Sequence, residues 1–428
     1  MKQKIKIAIV GLGQIGGYLY SELLKKKNDI NLKTGKTIDI IGICAKNKNK
    51  KRNFKINKKI FFSNAYDLLK KKPDILFEVI GFSDGISKKI VERSLKNGIH
   101  VVTPNKALIA KHGDYLSLLA EKNNVNLEFE ASVAGGIPIL RTIKEGLATN
   151  KINKIYGILN GTSNYILSQM EKTRDTFRNV LNKAQELGYA EPGNPKPDLN
   201  GADAYAKIKI LSSLAFNNKI SKQNSLMEGI ENIDYKDIEI AGQMNFRIKL
   251  LGITELINNR LFERVHPCLV KKDTYIGNVN GVMNAVITNG VPVGESILQG
   301  EGAGPGPTSS ALMSDLLSIL RGNIKYPFGV SNKNRKTPKV FNYNNYMNSL
   351  YLRIEVKDKP GVLSNITKNL AKKRISIQRL IQIPNNKKKT ATIVIITHKS
   401  REIDALNSLN FFKRNKNIIK NPTIIRLL

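Results

Sequence analysis

Residues 5–16 read Ile5-Lys-Ile-Ala-Ile-Val10-Gly11-Leu-Gly13-Gln-Ile-Gly16, an apolar run that breaks into glycines and then into a helical pattern over Gln14–Lys27. A short continuous apolar run is how a strand buried on both faces looks in sequence. Glycines at this spacing between a strand and a helix match the turn of a dinucleotide-binding βαβ unit. Gly11 permits the tight turn, Gly13 lets the backbone approach a pyrophosphate, and Gly16 lets the helix pack on the strand. Gln14 and Ile15 open the helix, whose N-terminus stabilises phosphate. A lone glycine turn also occurs in chains that bind nothing, so the surroundings carry the reading. Strand-like runs at Ile38–Cys44, Ile75–Val79, Val101–Thr103 and Leu127–Phe129 alternate with helical patterns at Ile86–Asn97 and Tyr115–Lys122. That alternation predicts an α/β unit, a parallel sheet with helices on both faces.

Beyond residue 150 the pattern changes. Strand-like Ile155–Leu159, Lys249–Leu256 and Phe262–Val270 are interspersed with helical Asn164–Lys172, Asp203–Phe216 and Ser309–Leu320, which reads as an α+β unit. Gly322–Asn348 is rich in Asn, Lys and Pro and reads as a linker. Tyr351–Val356 then opens a last unit with further strand-like runs at Ile377–Ile383, Thr392–Thr397 and Thr423–Leu427. The expected division is 1–150, 151–322, a linker 323–348, and 349–428.

A chain of 428 residues that is 41% hydrophobic can bury two or three cores, which excludes global disorder. The net charge of +36 is what a nucleic-acid binder would carry. Its lysines, however, run from Lys2 to Lys420 among many Asn and Ile, and no focused basic arm, zinc-finger spacing or aromatic RNA-binding motif accompanies them. The expectation is therefore no nucleic-acid partner. No segment approaches the roughly 18 uninterrupted apolar residues of a membrane span, and Ile5–Val10 is too short for a secretory leader. With only Cys44 and Cys268, there is no disulfide framework. Together these readings place the protein in the cytoplasm.

The second strand ends at Cys44-Ala45-Lys46, where an NAD site would carry Asp or Glu for the ribose hydroxyls. Lys46, Lys48, Lys50, Lys51 and Arg52 stand there instead. The missing acid favours NADP over NAD; the lysines weigh less, because lysine is common throughout the chain.

Several segments resemble the homoserine dehydrogenase family: VVTPNKAL around Lys106, EASVAGGIPIL from Glu130, GILNGTSNYILS from Gly157, GYAEP from Gly188, DLNGADAYAKIKIL from Asp198 and GEGAGPGPTSSALMSDL from Gly300. They follow the family's order and cover most of residues 5–322. The resemblance is to its monofunctional members, in which a Rossmann-type domain precedes a substrate and dimerisation domain. It implies reversible hydride transfer between L-homoserine and L-aspartate 4-semialdehyde with NAD(P)(H), in a homodimer or larger homo-oligomer.

That reaction requires a group to move the alcohol proton as hydride is exchanged. Asp203 and Lys207, four apart on a helical pattern, share a face. Without the surrounding motif they would read as an exposed ion pair. By resemblance Lys207 is the acid/base, Asp203 orients it, and Lys106 sits at the junction of cofactor and substrate. Burial or Lys106 would lower the Lys207 pKa, and Asp203 would partly counter this. The resemblance also gives Glu191 as acceptor of the substrate amino group, Asp198 as a second acid, and Asn160, Gly161 and Thr162 as pocket supports. Ser83 and Gly302 join Lys46 and Lys106 in the implied cofactor set. Glu130, Val133, Gly135 and Ile137 match the family's monovalent-cation site, where oxygen ligands suit sodium. One stretch departs: the family reads AEADPTxD where this chain has Ala190-Glu-Pro-Gly-Asn-Pro-Lys-Pro-Asp198, which alters the setting of Glu191.

Glu355-Val-Lys-Asp358-Lys-Pro360-Gly361-Val-Leu363 resembles the opening of an ACT domain, a ferredoxin-like βαββαβ fold. Such domains pair and bind an amino acid, with threonine the natural effector; the other reading is a dimerisation module without ligand. Two rivals fall on residue chemistry. A thioester-forming dehydrogenase needs an activated Cys near a His; Cys44 ends a strand, and Cys268 lies in His266-Pro-Cys268 without the expected motif. A catalytically dead sensor would have lost Lys106, Asp203 or Lys207, and all three are present.

Overall fold

The computed structural model describes residues 4–428 except 53, 224, 323 and 386, so the expected linker boundary at 323 lies outside the described residues. The first unit is a six-stranded parallel sheet in the order Phe61–Phe62, Thr37–Cys44, Lys4–Val10, Ile75–Glu78, His100–Val102, Leu127–Glu128. Strand order reverses between Lys4–Val10 and Ile75–Glu78. In such sheets the crevice beyond the strand C-termini at that point is the natural ligand site.

The helix expected at Tyr115–Lys122 begins earlier and spans Lys106–Lys122. Asn105 starts it: its side-chain oxygen accepts from Leu108 N at 3.1 Å, a cap that the Pro104-Asn105 pair signals. The pattern Gln14–Lys27 ends at Lys25, and a second helix, Lys27–Thr34, follows. Helix Pro305–Leu320, expected within 151–322, returns to the first unit. Its Leu312, Leu316 and Ile319 bury against Ile7, Leu19 and Leu23.

The second sheet is continuous through both remaining units. Its path runs Gly294–Glu301, Met283–Val291, Lys151–Ile158, Phe246–Ile257, Arg260–Lys271, then Thr423–Leu427, Leu350–Lys357, Thr390–Thr397 and Ile377–Asn385. The join is parallel, with Cys268 and Leu269 opposite Arg426 and Leu427. Residues 350–427 form a βαββαβ unit whose helices, Val362–Lys372 and Glu402–Lys413, cover Leu352, Ile354, Ile393 and Ile395. A second contact secures this unit: buried Asp237 accepts from Arg353 Nε at 2.6 Å and Nη2 at 2.9 Å, and from the Tyr351 hydroxyl at 3.1 Å. Among the described residues no helix is long and apolar enough to cross a membrane, and no cluster of three His, Cys, Asp or Glu side chains could hold a metal.

Candidate active site

A cleft of about 700 Å³ opens beyond the strand C-termini, between the first sheet and the second. The glycine turn lies beside it, with Ile15 in the cleft lining and Gly13 and Gln14 in the adjoining groove. Gly11 has φ +107, and an added Cβ would lie 2.4 Å from Val79 O; a Cβ on Gly16 would lie 2.0 Å from Gly11 O. Gly13 faces open space and starts helix Gln14–Lys25 with no side-chain cap and no acid in its first turn. A second uncapped helix start, Gly304 before Pro305–Leu320, lies across from it, and Pro305 lines the same groove as Gly13 and Gln14. Free backbone N–H groups at the Gln14 terminus suit a pyrophosphate, and the positive dipole end of the Pro305 helix, whose prolines carry no N–H, adds to it, so the residues fit a dinucleotide. Ile15 and Gly302 line the cleft, and Gly302 packs so closely that a Cβ would lie 2.2 Å from the Asn284 side chain.

The floor is a connected polar chain. Asn160 is the cap of helix Gly161–Thr173, its side-chain oxygen accepting from Ser163 N at 2.8 Å. Its amide nitrogen donates to Asp198 Oδ1 at 2.7 Å and to Asp203 Oδ2 at 2.9 Å. Asp203, in the first turn of helix Ala202–Ala215, lies 2.8 Å from Lys207 Nζ through Oδ2 and 2.7 Å from Lys106 Nζ through Oδ1. Lys207 Nζ also donates to Leu159 O at 2.6 Å. Thr162 Oγ1 donates to Tyr189 O at 2.6 Å, pinning the far wall. Lys106, Asn160, Gly161, Thr162, Asp198, Asp203 and Lys207 all line the cleft.

The electrostatics follow from burial and this chain of charges. Burial pushes the Lys207 ammonium below its ordinary value, helped by Lys106 and opposed by Asp203. Burial also disfavours the Asp203 anion, but the Lys207 and Lys106 charges outweigh it and hold that carboxyl well below the usual range. Lys106 is raised, first by the Asp203 charge against its own burial. Asp198 is raised by burial and then by the Asp203 charge. The site thus keeps one firm anion flanked by a stabilised ammonium and a weakened one.

Three expected contacts lie elsewhere. Glu191 is exposed and outside the cleft lining: it sits on the proline-rich loop, where its carbonyl oxygen accepts from Gln185, and its charge reaches the site only as a field on Lys106. Lys46 is exposed, and it is Lys50, Lys51 and Arg52 that line the groove beside Gly13. Ser83 donates to Asp84 at 2.7 Å and does not line the cleft. One important residue went unread. Glu78, fully buried at the end of its strand, accepts from Ile80 N, Ser87 and Thr103 at 2.6–2.9 Å, and more weakly from Asn105 at 3.4 Å, fixing the turn that presents Lys106. Its only sequence signal was an acid ending an apolar strand.

The turn after Leu127–Glu128 carries the expected cation residues. Glu130 is buried; its Oε1 accepts from Leu140 N at 2.9 Å and Oε2 from Arg141 N at 2.8 Å. Val133, Gly135 and Ile137 follow on the same turn, and a Cβ on Gly135 would lie 2.8 Å from Gly302 O. Burial raises the Glu130 carboxyl, with Lys144 the first group to oppose it.

Comparison with known proteins agrees with this layout. The family model for the homoserine dehydrogenase NAD binding domain matches residues 11–130, that for homoserine dehydrogenase matches 138–317, and that for the ACT domain matches 350–410. A homoserine dehydrogenase of Neisseria gonorrhoeae is 37% identical over 430 residues, 99% of this chain and 98% of that protein. The chain belongs to the homoserine dehydrogenase family. The Helicobacter pylori homoserine dehydrogenase is 36% identical across 100% of both chains. The crystal structure of a homoserine dehydrogenase from Thiobacillus denitrificans superposes with a TM-score of 0.91 at 33% identity, covering 100% of this chain and 99% of that one. A hyperthermophilic archaeal homoserine dehydrogenase solved in complex with NADPH matches with a TM-score of 0.63 at 25% identity over 76% of this chain and all of that one. The chain is thus an NAD(P)-dependent oxidoreductase with a C-terminal ACT domain, as the motifs led us to expect.

Proposed function

We propose that Lys207 moves the proton in the homoserine dehydrogenase reaction and that Asp203, Lys106 and Asn160 hold it ready to do so. The observation that carries this is the chain Lys106–Asp203–Lys207, with Asp203 and Lys207 buried, Lys106 half-exposed to the cleft and Asn160 closing it, on the cleft floor at the sheet's switch point. The nicotinamide supplies hydride exchange when bound. Lys207, with its ammonium destabilised by burial, takes the hydroxyl proton on oxidation and returns it on reduction. Asp203 fixes its direction, and Lys106 supplies positive charge beside the forming carbonyl oxygen. Asp198 lines the cleft and receives the substrate ammonium, with exposed Glu191 adding attraction at the mouth. Gly161 and Thr162, at a helix N-terminus, accommodate the substrate carboxylate. Absorbance of the reduced nicotinamide, followed with homoserine and each cofactor, tests the assignment; a purified chain that yields no reduced cofactor from pH 7 to 10 would count it out.

Finer readings extend the same site. Lys50, Lys51 and Arg52 favour the 2′-phosphate of NADP, and a kcat/KM ratio below unity for NADP over NAD would overturn that. Glu130, with lone pairs beyond its two backbone bonds, and the carbonyls of Val133, Gly135 and Ile137 hold a sodium ion; exchange of Na⁺ for a large organic cation should then lower thermal stability. Threonine is the effector at the Asp358–Leu363 turn, where Gly361 has φ +83 beside a hollow of about 470 Å³. The assembly is a homodimer or larger.

A further inference from the structure

We propose that Arg426, in the last strand of the C-terminal unit, and Glu228 form a positioning pair that sets the loop carrying Asp198. Arg426 is 2% exposed, and its Nη1 and Nη2 donate to the two oxygens of Glu228 at 2.6 and 3.0 Å. Its Nε donates to Glu402 within its own unit at 3.1 Å. Burial penalises the guanidinium, but the Glu228 and Glu402 charges outweigh that and keep it firmly protonated. The fork–fork geometry fixes direction as well as charge.

Glu228 does not belong to a core element. It follows a two-residue strand, Leu226–Met227, on the flank of Arg260–Lys271, and its own N–H donates to Val265 O at 2.8 Å. The chain then turns onto the substrate loop without slack. Ile230 N donates to Leu199 O at 2.9 Å. Gly229 is so close that a Cβ would lie 2.0 Å from Leu199 O and 2.5 Å from the Asn200 Cα. Gly201, the cap of the helix bearing Asp203 and Lys207, has φ +87 and would place a Cβ 2.9 Å from Val265 Cγ1. Layer by layer, the contacts run from Arg426 to Glu228, to the backbone of 229–230, to Leu199, and to Asp198 at the cleft.

Docking of the C-terminal unit does not need this pair, because the sheet join and the Arg353–Asp237 clamp already provide it. What Arg426 adds is a hold on the outer side of a segment whose inner side touches the substrate loop. Releasing that hold gives the Asp198 loop room to move while the glycine turn and the Lys207 chain stay in place. The expected mark is weaker homoserine binding at nearly constant turnover. The inference rests on Asp198 facing the substrate, as proposed above.

The test uses the full-length protein, with homoserine varied at saturating NADP and NADP varied at saturating homoserine. Glu228→Ala should raise the homoserine KM about tenfold, with kcat and the NADP KM within about twofold. Glu228→Gln, which keeps the shape and one accepting oxygen, should raise it less, and it decides the question if the alanine variant does not fold. The proposal is overturned if a folded variant leaves the homoserine KM unchanged. It is equally overturned if kcat and both KM values worsen together, as general loosening would produce. Asp198→Asn with an unchanged homoserine KM would remove the substrate reading itself, and the pair's role with it; a raised KM there, beside normal Glu228 variants, would sink the pair alone.

Discussion

Replacing Lys207 by methionine separates chemistry from architecture. Methionine keeps an unbranched apolar stem, so the slot beneath Leu159 stays filled. A positioned acid/base contributes about 10²–10⁴ in rate, so kcat should fall by that factor, equivalent to about 3–5 kcal/mol of barrier. The stability cost is a separate matter. Removing one partner of a buried pair costs about 3–5 kcal/mol when it strands the other charge. Asp203 is not stranded: Lys106 lies at 2.7 Å and Asn160 at 2.9 Å. The carbonyl of Leu159 loses its Lys207 donor, at about 1–3 kcal/mol. The loss should therefore sit near the low end of these figures and lower the melting temperature by several degrees without unfolding the protein. Among the described residues Lys207 Nζ bonds to Leu159 and Asp203, outside the glycine turn, so NADPH affinity should hold. Initial rates at the nicotinamide band, fluorescence titration with NADPH and thermal unfolding measure the three quantities. A folded variant that binds NADPH and keeps more than about one-tenth of wild-type turnover would refute the proton-transfer role.

Homoserine oxidation needs the free amine of Lys207, so its rate should climb with pH through the Lys207 titration, and the reverse reduction should fall over the same window. Lys106→Met removes a charge that lowers Lys207, so both limbs should move to higher pH, and movement to lower pH would contradict the electrostatics. Gly16→Ala would press a Cβ to 2.0 Å from Gly11 O; NADPH affinity should drop at least about tenfold, and unchanged binding would show that the turn is looser than drawn. Glu263 is 2% exposed under the helix bearing Lys207, and burial pushes its carboxyl up to about 7 from 4.5. Because the folded state holds this proton more tightly, the group's contribution to stability is lost as pH rises from about 4.5 to about 7. Glu263→Gln should accordingly gain up to about 3 kcal/mol over wild type at pH 8, with no gain at pH 4; a flat difference across that range in denaturant titrations would refute it.

Five of the six strands of the first sheet were legible as short apolar runs between turn residues, with Gly11, Gly13 and Gly16 marking where ligand and backbone must meet; the two-residue edge strand Phe61–Phe62 is too short to show a pattern and was not read. The Asp203–Lys207 pair was legible as a helical spacing, but its burial was not. An identical spacing on a solvated helix would look the same in sequence. The start of helix Lys106–Lys122 was missed because Asn105 was not read as its cap, although its side chain does that work. Strands Met283–Val291 and Gly294–Glu301 were missed because Asn and Gly interrupt their apolar pattern. The outward turn of Glu191 follows from prolines whose effect on a loop path has no periodicity to read. The Arg426–Glu228 contact joins residues 198 apart, and nothing local in either segment announces the other.

The sheet join between Cys268–Leu269 and Arg426–Leu427 also bears on how the chain is built. Leu226–Met227 pairs the middle of strand Arg260–Lys271, but its Cys268–Leu269 end cannot acquire that neighbour until residues 423–427 have left the ribosome, so this end stays bare through the synthesis of about 150 further residues. Bare edges recruit other strands, and pairings this distant in sequence close slowly. A nascent chain stalled before residue 423 would present that edge to chaperones or to its own neighbours, and an appendage fused directly behind Leu428, whose N–H donates to Leu269 O, would strain the seam it must leave.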